Sequence, residues 1–261
     1  MEQGSALRVR LGEGGVIIKE DLLQLLFPPR CPVCDGILEA ELIRAGELVH
    51  PLCEERLYPV GENHCMQCGK PLQKAEREYC FDCRKRLDNR QVFHCKQGRA
   101  VYVYRGDIRQ TMYRFKYSNR REYARFFARK AAQQYAGWIH QCQVEAVVPV
   151  PMYACKKRRR GYNQAEVFGR ELARSLGIVF EPKGVRRVTN TRPQKLLSGQ
   201  ERKKNLEKAF QAAEFIVNYK CVLVVDDIYT TGSTVEAVAE VMRQSGVEKV
   251  YFLTLCTGEG V

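Results

Sequence analysis

The sequence predicts an α/β protein: a parallel β-sheet covered by helices on both faces, with a small cysteine-rich module before it. Two observations predict the sheet. Strand-like and helix-like segments alternate after about residue 101, and the strand-like segments are almost continuously apolar, as in strands buried on both faces. A third observation predicts the module, because eight of the 12 cysteines lie within the first 95 residues, where apolar residues are too few for a separate core.

The expected elements follow in a regular order. Residues 20–27 are expected to form a short amphipathic helix that ends before Pro28. Beyond the cysteines, the expected strands are VYVY at 101–104, VEAVVPVP at 144–151, KCVLVVDD at 220–227 and VEKVYFLTLCTG at 247–258. The expected helices are 107–117, 121–138, 163–176 and 233–244. These segments divide the chain into an extension at 1–19, a cysteine module at 20–95 and a sheet domain at 96–261.

Composition indicates a cytoplasmic globular protein. The 261 residues are 45% hydrophobic and 28% charged, and no apolar run approaches the roughly 20 residues that cross a bilayer. The first residues lack the basic and then apolar pattern of a secretory signal. In a reducing compartment, paired cysteines indicate metal ligation rather than disulfides.

The charge is distributed unevenly along the chain. Residues 1–83 carry 14 acidic and 9 basic residues, a net charge of −5, whereas the remainder carries 34 basic and 16 acidic residues, a net charge of +18. This excess favours a polyanionic partner such as nucleic acid, contacted by the C-terminal part. The alternative is a basic surface that is simply solvated.

One complete set of zinc ligands stands out. CMQC at 65–68 and CFDC at 80–83 have the two-residue spacing that lets both thiolates reach one ion, so we expect Cys65, Cys68, Cys80 and Cys83 to bind Zn²⁺ tetrahedrally. Such a closed site is structural and supplies folding free energy where a core is missing.

A second set is incomplete. Cys31 and Cys34 can pair with Cys53, but Arg56 stands where a matching fourth cysteine would be. His50 offers an imidazole at a suitable spacing, and His64 is a weaker candidate for the same role. The alternative is that this site has lost its metal.

The segment VLVVDDIYTTGST at 222–234 predicts a sugar-phosphate site. An apolar strand ends at Asp226 and Asp227, and a helix begins near Ser233, so the segment lies at the carboxyl end of a parallel strand, where open α/β sheets bind ligands. The carboxylates suit the vicinal hydroxyls of a ribose together with a divalent cation. The hydroxyl-rich loop at a helix N-terminus suits a phosphate; its residues are Thr230, Thr231, Gly232, Ser233 and Thr234.

The same segment resembles the signature of type I phosphoribosyltransferases, which bind phosphoribosyl pyrophosphate (PRPP) with Mg²⁺. The chain from about residue 20 resembles the ComF family of late-competence proteins, in which a double zinc ribbon precedes a type I phosphoribosyltransferase domain. The matching segments are YRGDIRQTMYRFKY, VVPVPMYACKKRRRGYNQA, TRPQKLLSGQERKKNLEKAF and VLVVDDIYTTGST. Arg56 departs from the family pattern, and residues 1–19 look like an unrelated extension without fixed structure.

The resemblance implies a role for each matching residue. Asp226 and Asp227 would bind the ribose hydroxyls, and residues 230–234 the 5-phosphate. Pro149-Val150-Pro151 lies near where this fold holds pyrophosphate, and residues 189–205 correspond to a hood over the site. The cations expected to contact pyrophosphate or a nucleic-acid backbone are Lys116, Arg158, Arg159 and Arg160.

A basic, aromatic stretch indicates single-stranded nucleic acid. Residues 84–130 carry 15 basic and 3 acidic residues, interleaved with Tyr102, Tyr104, Tyr113, Phe115 and Tyr117. Cations for phosphates and aromatic rings for base stacking are what single-strand binding requires, although some of these rings must belong to the core.

Three functions are compatible with the sequence. The resemblance implies a competence protein that handles incoming single-stranded DNA in the cytoplasm. The first alternative is an active phosphoribosyltransferase acting on a nucleobase or on nucleic acid. The second is a non-catalytic adaptor for a DNA-uptake helicase and other competence proteins.

Overall fold

The chain divides into two compact units, Met1–Glu55 and Arg56–Val261. The computed structural model describes residues 8–10, 16–18, 27–188 and 209–259. The division falls between the two cysteine sets, so the set beginning at Cys65 belongs to the unit that contains the sheet. The predicted hood segment 189–205 lies outside the described residues, as does the predicted helix at 20–27 apart from its last residue.

The described elements of the first unit are short. Strands β1 (Arg8–Arg10) and β2 (Val16–Ile18) pair in antiparallel fashion, so these six residues have regular backbone structure inside the stretch expected to lack it. The consecutive β-branched residues of β2 favour an extended backbone. Helices α1 (Ala40–Arg44) and α2 (Pro51–Glu54) follow in the same unit.

The second unit alternates strands and helices in the predicted way. Its described strands are β3 (Gln97–Val103), β4 (Ala146–Pro149), β5 (Val179–Phe180), β6 (Val185–Arg187), β7 (Phe210–Ala212), β8 (Cys221–Tyr229) and β9 (Lys249–Thr257). The helices in the described part of this unit are α3 (Phe81–Asp88), α4 (Ile108–Tyr117), α5 (Tyr123–Gln141), α6 (Ala154–Arg160), α7 (Gln164–Leu176) and α8 (Ser233–Gln244), and a 3₁₀ helix spans Glu214–Asn218. Among the described helices, none is long and apolar enough to cross a membrane.

Five strands form one parallel sheet in the spatial order β3-β9-β8-β4-β5. From β4 the chain moves outward to β5, whereas β8 and β9 lie on the other side of β4. The direction of the connections therefore reverses between β4 and β8. In open α/β sheets, ligands bind outside the carboxyl ends of the strands at this point. Strands β6 and β7 form a separate antiparallel pair.

Helices cover both faces of the sheet, as the apolar strands predict. Along β8, Val222 and Val224 lie in one hydrophobic cluster with Val238 and Met242 of α8. The alternate residue Val225 lies on the opposite face, where it is so close to Gly169 of α7 that an added Cβ would approach it to 2.9 Å. Residues on both faces of β8 are thus removed from water, which is why its apolar run is uninterrupted.

Two local differences from the sequence prediction concern the candidate site. Strand β8 does not end at Asp226–Asp227 but continues to Tyr229, because Ile228 and Tyr229 still pair with β9. The basic run after β4, for which no helix was predicted, forms α6 and ends at Gly161, whose φ of 83° is readily adopted by glycine.

Candidate functional site

The two carboxylates lie side by side near the carboxyl end of β8. The backbone N–H of Asp227 donates a hydrogen bond to Asp226 Oδ1 at 2.8 Å. Lys116, from α4, places its Nζ 2.8 Å from Asp227 Oδ2, and each of these two side chains is 18% exposed. Helix α4 and strand β8 therefore bring together residues that are far apart in the sequence.

Burial and mutual repulsion set the protonation of this cluster. Burial, followed by the charge of Asp227, raises the pKa of Asp226 to about 7. Burial lowers the pKa of Lys116, but the negative charges of Asp227 and Asp226 outweigh it and raise that pKa overall. The cluster thus holds the Lys116–Asp227 salt bridge beside Asp226, a carboxyl group whose pKa lies near neutral pH.

The predicted phosphate loop connects β8 to α8. Gly232 adopts a left-handed conformation with φ 78°, and an added Cβ would lie only 2.4 Å from Tyr229 Oη, so glycine is required there for two reasons. The hydroxyls of Thr231 and Ser233 are 2.5 Å apart, and Thr230 and Thr231 are exposed. Ser233 begins α8, as predicted, so hydroxyls lie at the N-terminus of the helix, an arrangement that suits a phosphate.

Further cations lie around the carboxylates. Burial lowers the pKa of Lys156, and the positive charges of Arg187, Arg160 and Arg159 lower it further. Burial likewise lowers the pKa of Arg187, which is opposed by the charge of Asp226. Like charges that crowd together and lose hydration raise the free energy of the ligand-free protein, so this region is suited to an anion.

The structure separates the predicted cations into two groups. Lys116 and Arg160 lie at the site, where Arg160 donates hydrogen bonds to Gln164 Oε1 at 3.2 Å and Tyr117 Oη at 3.1 Å. Arg158 and Arg159 are exposed on α6. The sequence motifs did not identify Lys156 as a site residue. It lies four residues before Arg160, so both side chains lie on one face of α6. Arg187 was also missed, and no motif in the sequence marks it.

The cysteine set of the second unit has the geometry of a tetrathiolate site. The Sγ atoms of Cys65, Cys68, Cys80 and Cys83 all lie within 4.8 Å of one another, and all four residues are buried. Cys68 and Cys80 are 3.6 Å apart, close to the ~3.8 Å that tetrahedral Zn–S bonds require. The cluster is consistent with a zinc ribbon.

The first set is completed by a histidine. The ligand atoms of Cys31, Cys34, His50 and Cys53 also lie within 4.8 Å of one another. His50 turns Nδ1 toward the thiols, 3.3 Å from Cys34 Sγ and 3.9 Å from Cys53 Sγ, while Nε2 lies 3.2 Å from the carbonyl oxygen of Ile37. A bond from one ring nitrogen to a carbonyl, with the other facing the thiols, is how metal-bound histidines are commonly held. Among the described residues, His64 lies in neither cluster.

The second cluster is physically connected to the phosphate loop. Its cysteines share one hydrophobic cluster with Tyr229, which precedes the loop. The Nζ of Lys70, a buried residue, lies 6.0 Å from the Tyr229 ring centroid and 2.7 Å from Asp82 Oδ2. Glu236, in the first turn of α8, is 3.2 Å from Arg86 Nη1. The ribbon therefore supports both sides of the loop.

Comparisons with known proteins match both parts of the chain. The family described as "Double zinc ribbon domain" matches residues 22–84, and "Phosphoribosyl transferase domain" matches residues 163–260. "Competence protein F" of Haemophilus influenzae is 40% identical over 144 residues, which are 52% of this chain and 62% of that protein. The chain thus spans less than two thirds of that relative.

Two further relatives align over longer stretches. "DNA utilization protein YhgH" of Salmonella typhimurium is 31% identical over 160 residues, which cover 60% of this chain and 70% of that protein. "Competence protein ComFC" of Bacillus subtilis is 24% identical over 224 residues, which cover 83% of this chain and 89% of that protein.

Proposed function

Because this chain belongs to the ComF family of competence and DNA-utilization proteins, with a double zinc ribbon and a phosphoribosyltransferase-type domain, we propose that it handles incoming single-stranded DNA in the cytoplasm and binds PRPP. One observation supports the PRPP site: Asp226 and Asp227 lie close to the phosphate loop at the N-terminus of α8 and to a group of cations. An ordinary turn does not require these three features together.

The cluster fits each part of PRPP. Asp226 and Asp227 bind the ribose hydroxyls, and the loop of residues 230–234 binds the 5-phosphate. Lys156, Arg160 and Arg187 face the pyrophosphate, whose charge draws cations into a partly dehydrated site. Mg²⁺ bound together with PRPP would neutralise part of the diphosphate charge. Lys116 then leaves Asp227 for the ligand, which supplies negative charge of its own.

Both cysteine clusters are proposed to bind Zn²⁺. Four buried thiolates favour Zn²⁺ over hard cations, and the imidazole of His50 replaces a fourth thiolate in the first cluster. In both sites the protein supplies four ligands, so neither ion retains a position for a reactive water. Their contribution is to folding and positioning.

The DNA-handling role is supported by the charge of the chain, +13 at pH 7, and by its concentration after residue 83. A protein that neutralises Z phosphates loses affinity for single strands with a slope of about −0.7Z in a plot of log K against log salt. The test is fluorescence anisotropy of a labelled single-stranded oligonucleotide between about 50 and 200 mM salt. We expect tight binding at low salt and a steep decline. An affinity that does not change with salt, or no binding at low salt, contradicts the role.

A second candidate function is transfer of the phosphoribosyl group. The features of the site that bind PRPP are also those that such a reaction uses, since positioning and stabilisation of the departing pyrophosphate provide most of the rate. Release of pyrophosphate from PRPP, measured with and without single-stranded DNA and candidate nucleobases, tests it. A rate no higher than that of PRPP alone favours recognition, including the adaptor role toward a DNA-uptake helicase.

A further inference from the structure

Helix α4 carries two aromatic side chains on its solvent-exposed face, where polar residues are more usual. Its buried residues are Ile108, Thr111, Met112 and Phe115, which form the face toward the core. On the opposite side, Tyr113 and Tyr117 are each 56% exposed. Their spacing of four residues places them one above the other, with ring centroids 5.0 Å apart and an angle of 47° between the rings. Together they form an exposed aromatic surface, which we call the tyrosine pair.

Cations flank the tyrosine pair at both ends. The Arg160 guanidinium carbon lies 5.0 Å from the Tyr117 ring centroid, and its Nη2 donates to Tyr117 Oη at 3.1 Å. Arg109, exposed one helical turn before Tyr113, continues the same stripe. Residues 105–121 carry six basic residues and one acidic residue. Exposed rings between cations favour a partner with flat apolar groups and negative charges.

The pair also adjoins the candidate sugar-phosphate site. Lys116, next to Tyr117 in the sequence, contacts Asp227 at 2.8 Å. The charge of Arg160 acts on Lys116 as well, so Arg160 lies near both the tyrosine pair and the lysine that contacts Asp227. A ligand on the tyrosines therefore meets the same cations that surround the site.

We propose that Tyr113 and Tyr117 form a stacking platform for the bases of single-stranded nucleic acid, whose phosphates contact Arg109 and Arg160. This proposal deepens the proposed function and rests on it. In a duplex the base faces are covered by neighbouring bases, whereas in a single strand they are free to stack on aromatic side chains. Stacking of this kind tolerates any sequence, because every base has a π-face.

The test compares a labelled oligothymidylate of about 20 nucleotides with an abasic oligonucleotide of the same length and charge, by fluorescence anisotropy at low salt. For Tyr113→Ala/Tyr117→Ala, we expect the affinity for oligothymidylate to fall about 5- to 30-fold. The affinity for the abasic strand should change less than about twofold, because it offers phosphates without bases.

Two control variants make the result specific. Tyr113→Phe/Tyr117→Phe keeps the rings and removes the hydroxyls, so its affinity should stay within about twofold of the parent. Phe215→Ala removes an exposed aromatic ring from the 3₁₀ helix and should also leave the affinity unchanged. Thermal unfolding of each variant verifies that it is folded.

The outcomes separate the platform from the proposed function. If the alanine variant binds oligothymidylate as tightly as the parent, or loses affinity equally for both strands, the platform is wrong while DNA binding stands. If the phenylalanine variant loses as much as the alanine variant, the hydroxyls rather than the rings are responsible, and the platform is again wrong. If the parent binds no single strand at all, the DNA-handling role fails together with the platform, and PRPP binding is judged by its own titration.

Discussion

At the scale of single residues, Asp226 and Asp227 occupy successive positions but have different partners. Asp227 is paired with the Lys116 ammonium at 2.8 Å, whereas burial and the neighbouring charge raise the pKa of Asp226 to about 7. The folded, ligand-free protein therefore holds a proton on Asp226 over a pH range in which the unfolded chain does not. Ionisation of Asp226 is unfavourable until a ligand that uses the carboxylate is present.

The pH dependence follows from this shift. Because the pKa of Asp226 is higher in the folded state than its ordinary value of 3.8, its contribution to stability is complete below pH 4 and is lost as the pH rises through about 7. Asp226→Asn removes this loss. We therefore expect the melting temperature of the variant to exceed that of the parent at pH 8 by at least about 3 °C, and the difference to shrink toward pH 5. A variant less stable than the parent at pH 8 would show that the ionised Asp226 does not destabilise the folded protein.

Some residues of the candidate site could be predicted from the sequence, and others could not. The carboxylates, the phosphate loop and the cysteine sets form local motifs, and the structure places their members together. Arg187 carries no such pattern: it lies in a three-residue strand far from the loop in sequence, and only the fold brings it near Asp226. Tyr113 is exposed, whereas Phe115, two residues later, is completely buried. This difference depends on which face of the helix packs against the core, and the composition of the segment does not reveal that.

At the scale of elements, α8 couples the phosphate loop to the second cysteine cluster. Glu236 accepts a hydrogen bond from the backbone N–H of His94 at 2.8 Å and lies 3.2 Å from Arg86 Nη1 of α3. The Arg86 guanidinium carbon in turn lies 3.9 Å from the ring centroid of Phe93. The helix whose N-terminus forms the phosphate loop is therefore fixed to the ribbon by its first turn.

We predict that Glu236→Gln weakens this attachment. Its amide retains one acceptor oxygen but loses the charge that pairs with Arg86, which is mostly buried. The expected loss of stability is about 1–2 kcal/mol, measured by denaturant unfolding, and PRPP affinity should fall as well.

Glu240→Gln is the matched control, since Glu240 lies one turn later on α8 and, within the described part of the chain, its recorded ion-pair contact is with the His94 ring at 3.9 Å. It should change stability by less than about 0.5 kcal/mol. Equal effects of the two substitutions would show that the first turn of α8 is not attached to the ribbon in the way described.

Some elements could be predicted from the sequence and others could not. The bounds of α8 were predicted to the residue because its periodicity is clear and its start coincides with a glycine turn. The end of β8 was misplaced because two aspartates normally end a strand, whereas pairing with β9 continues the extended backbone through them. Helix α6 was missed because five consecutive cations give no apolar periodicity from which a helix could be recognised.

At the scale of the whole molecule, the two cysteine clusters belong to different units. The first lies in Met1–Glu55, whereas the second lies in Arg56–Val261 together with the sheet. The sequence suggested one module for both, since the cysteine pairs are similar and closely spaced. The cysteines of the second cluster belong to the same hydrophobic cluster as residues of β8, β9 and α8, so this part of the predicted module also packs against the sheet.

This separation predicts different consequences for the loss of each metal. A chelator that removes Zn²⁺ from the second cluster should lower PRPP affinity, because that cluster contacts the residues that hold the phosphate loop. His50→Ala should reduce the metal content from two ions per chain to one and leave PRPP affinity unchanged. Metal analysis and PRPP titration of the same samples test both statements. A variant that loses one metal and PRPP binding together would contradict the assignment of one cluster to each unit.

We propose that the carboxylates, the phosphate loop and the surrounding cations together form a single site for PRPP. Isothermal titration with PRPP in the presence of Mg²⁺ tests it most directly, with the parent, Asp226→Ala/Asp227→Ala, and the exposed control Arg158→Ala. We expect one binding site per chain in the parent, loss of binding by at least about 100-fold in the double variant, and little change in the control. Absence of PRPP binding in the parent, or binding that survives the loss of both carboxylates, would contradict it.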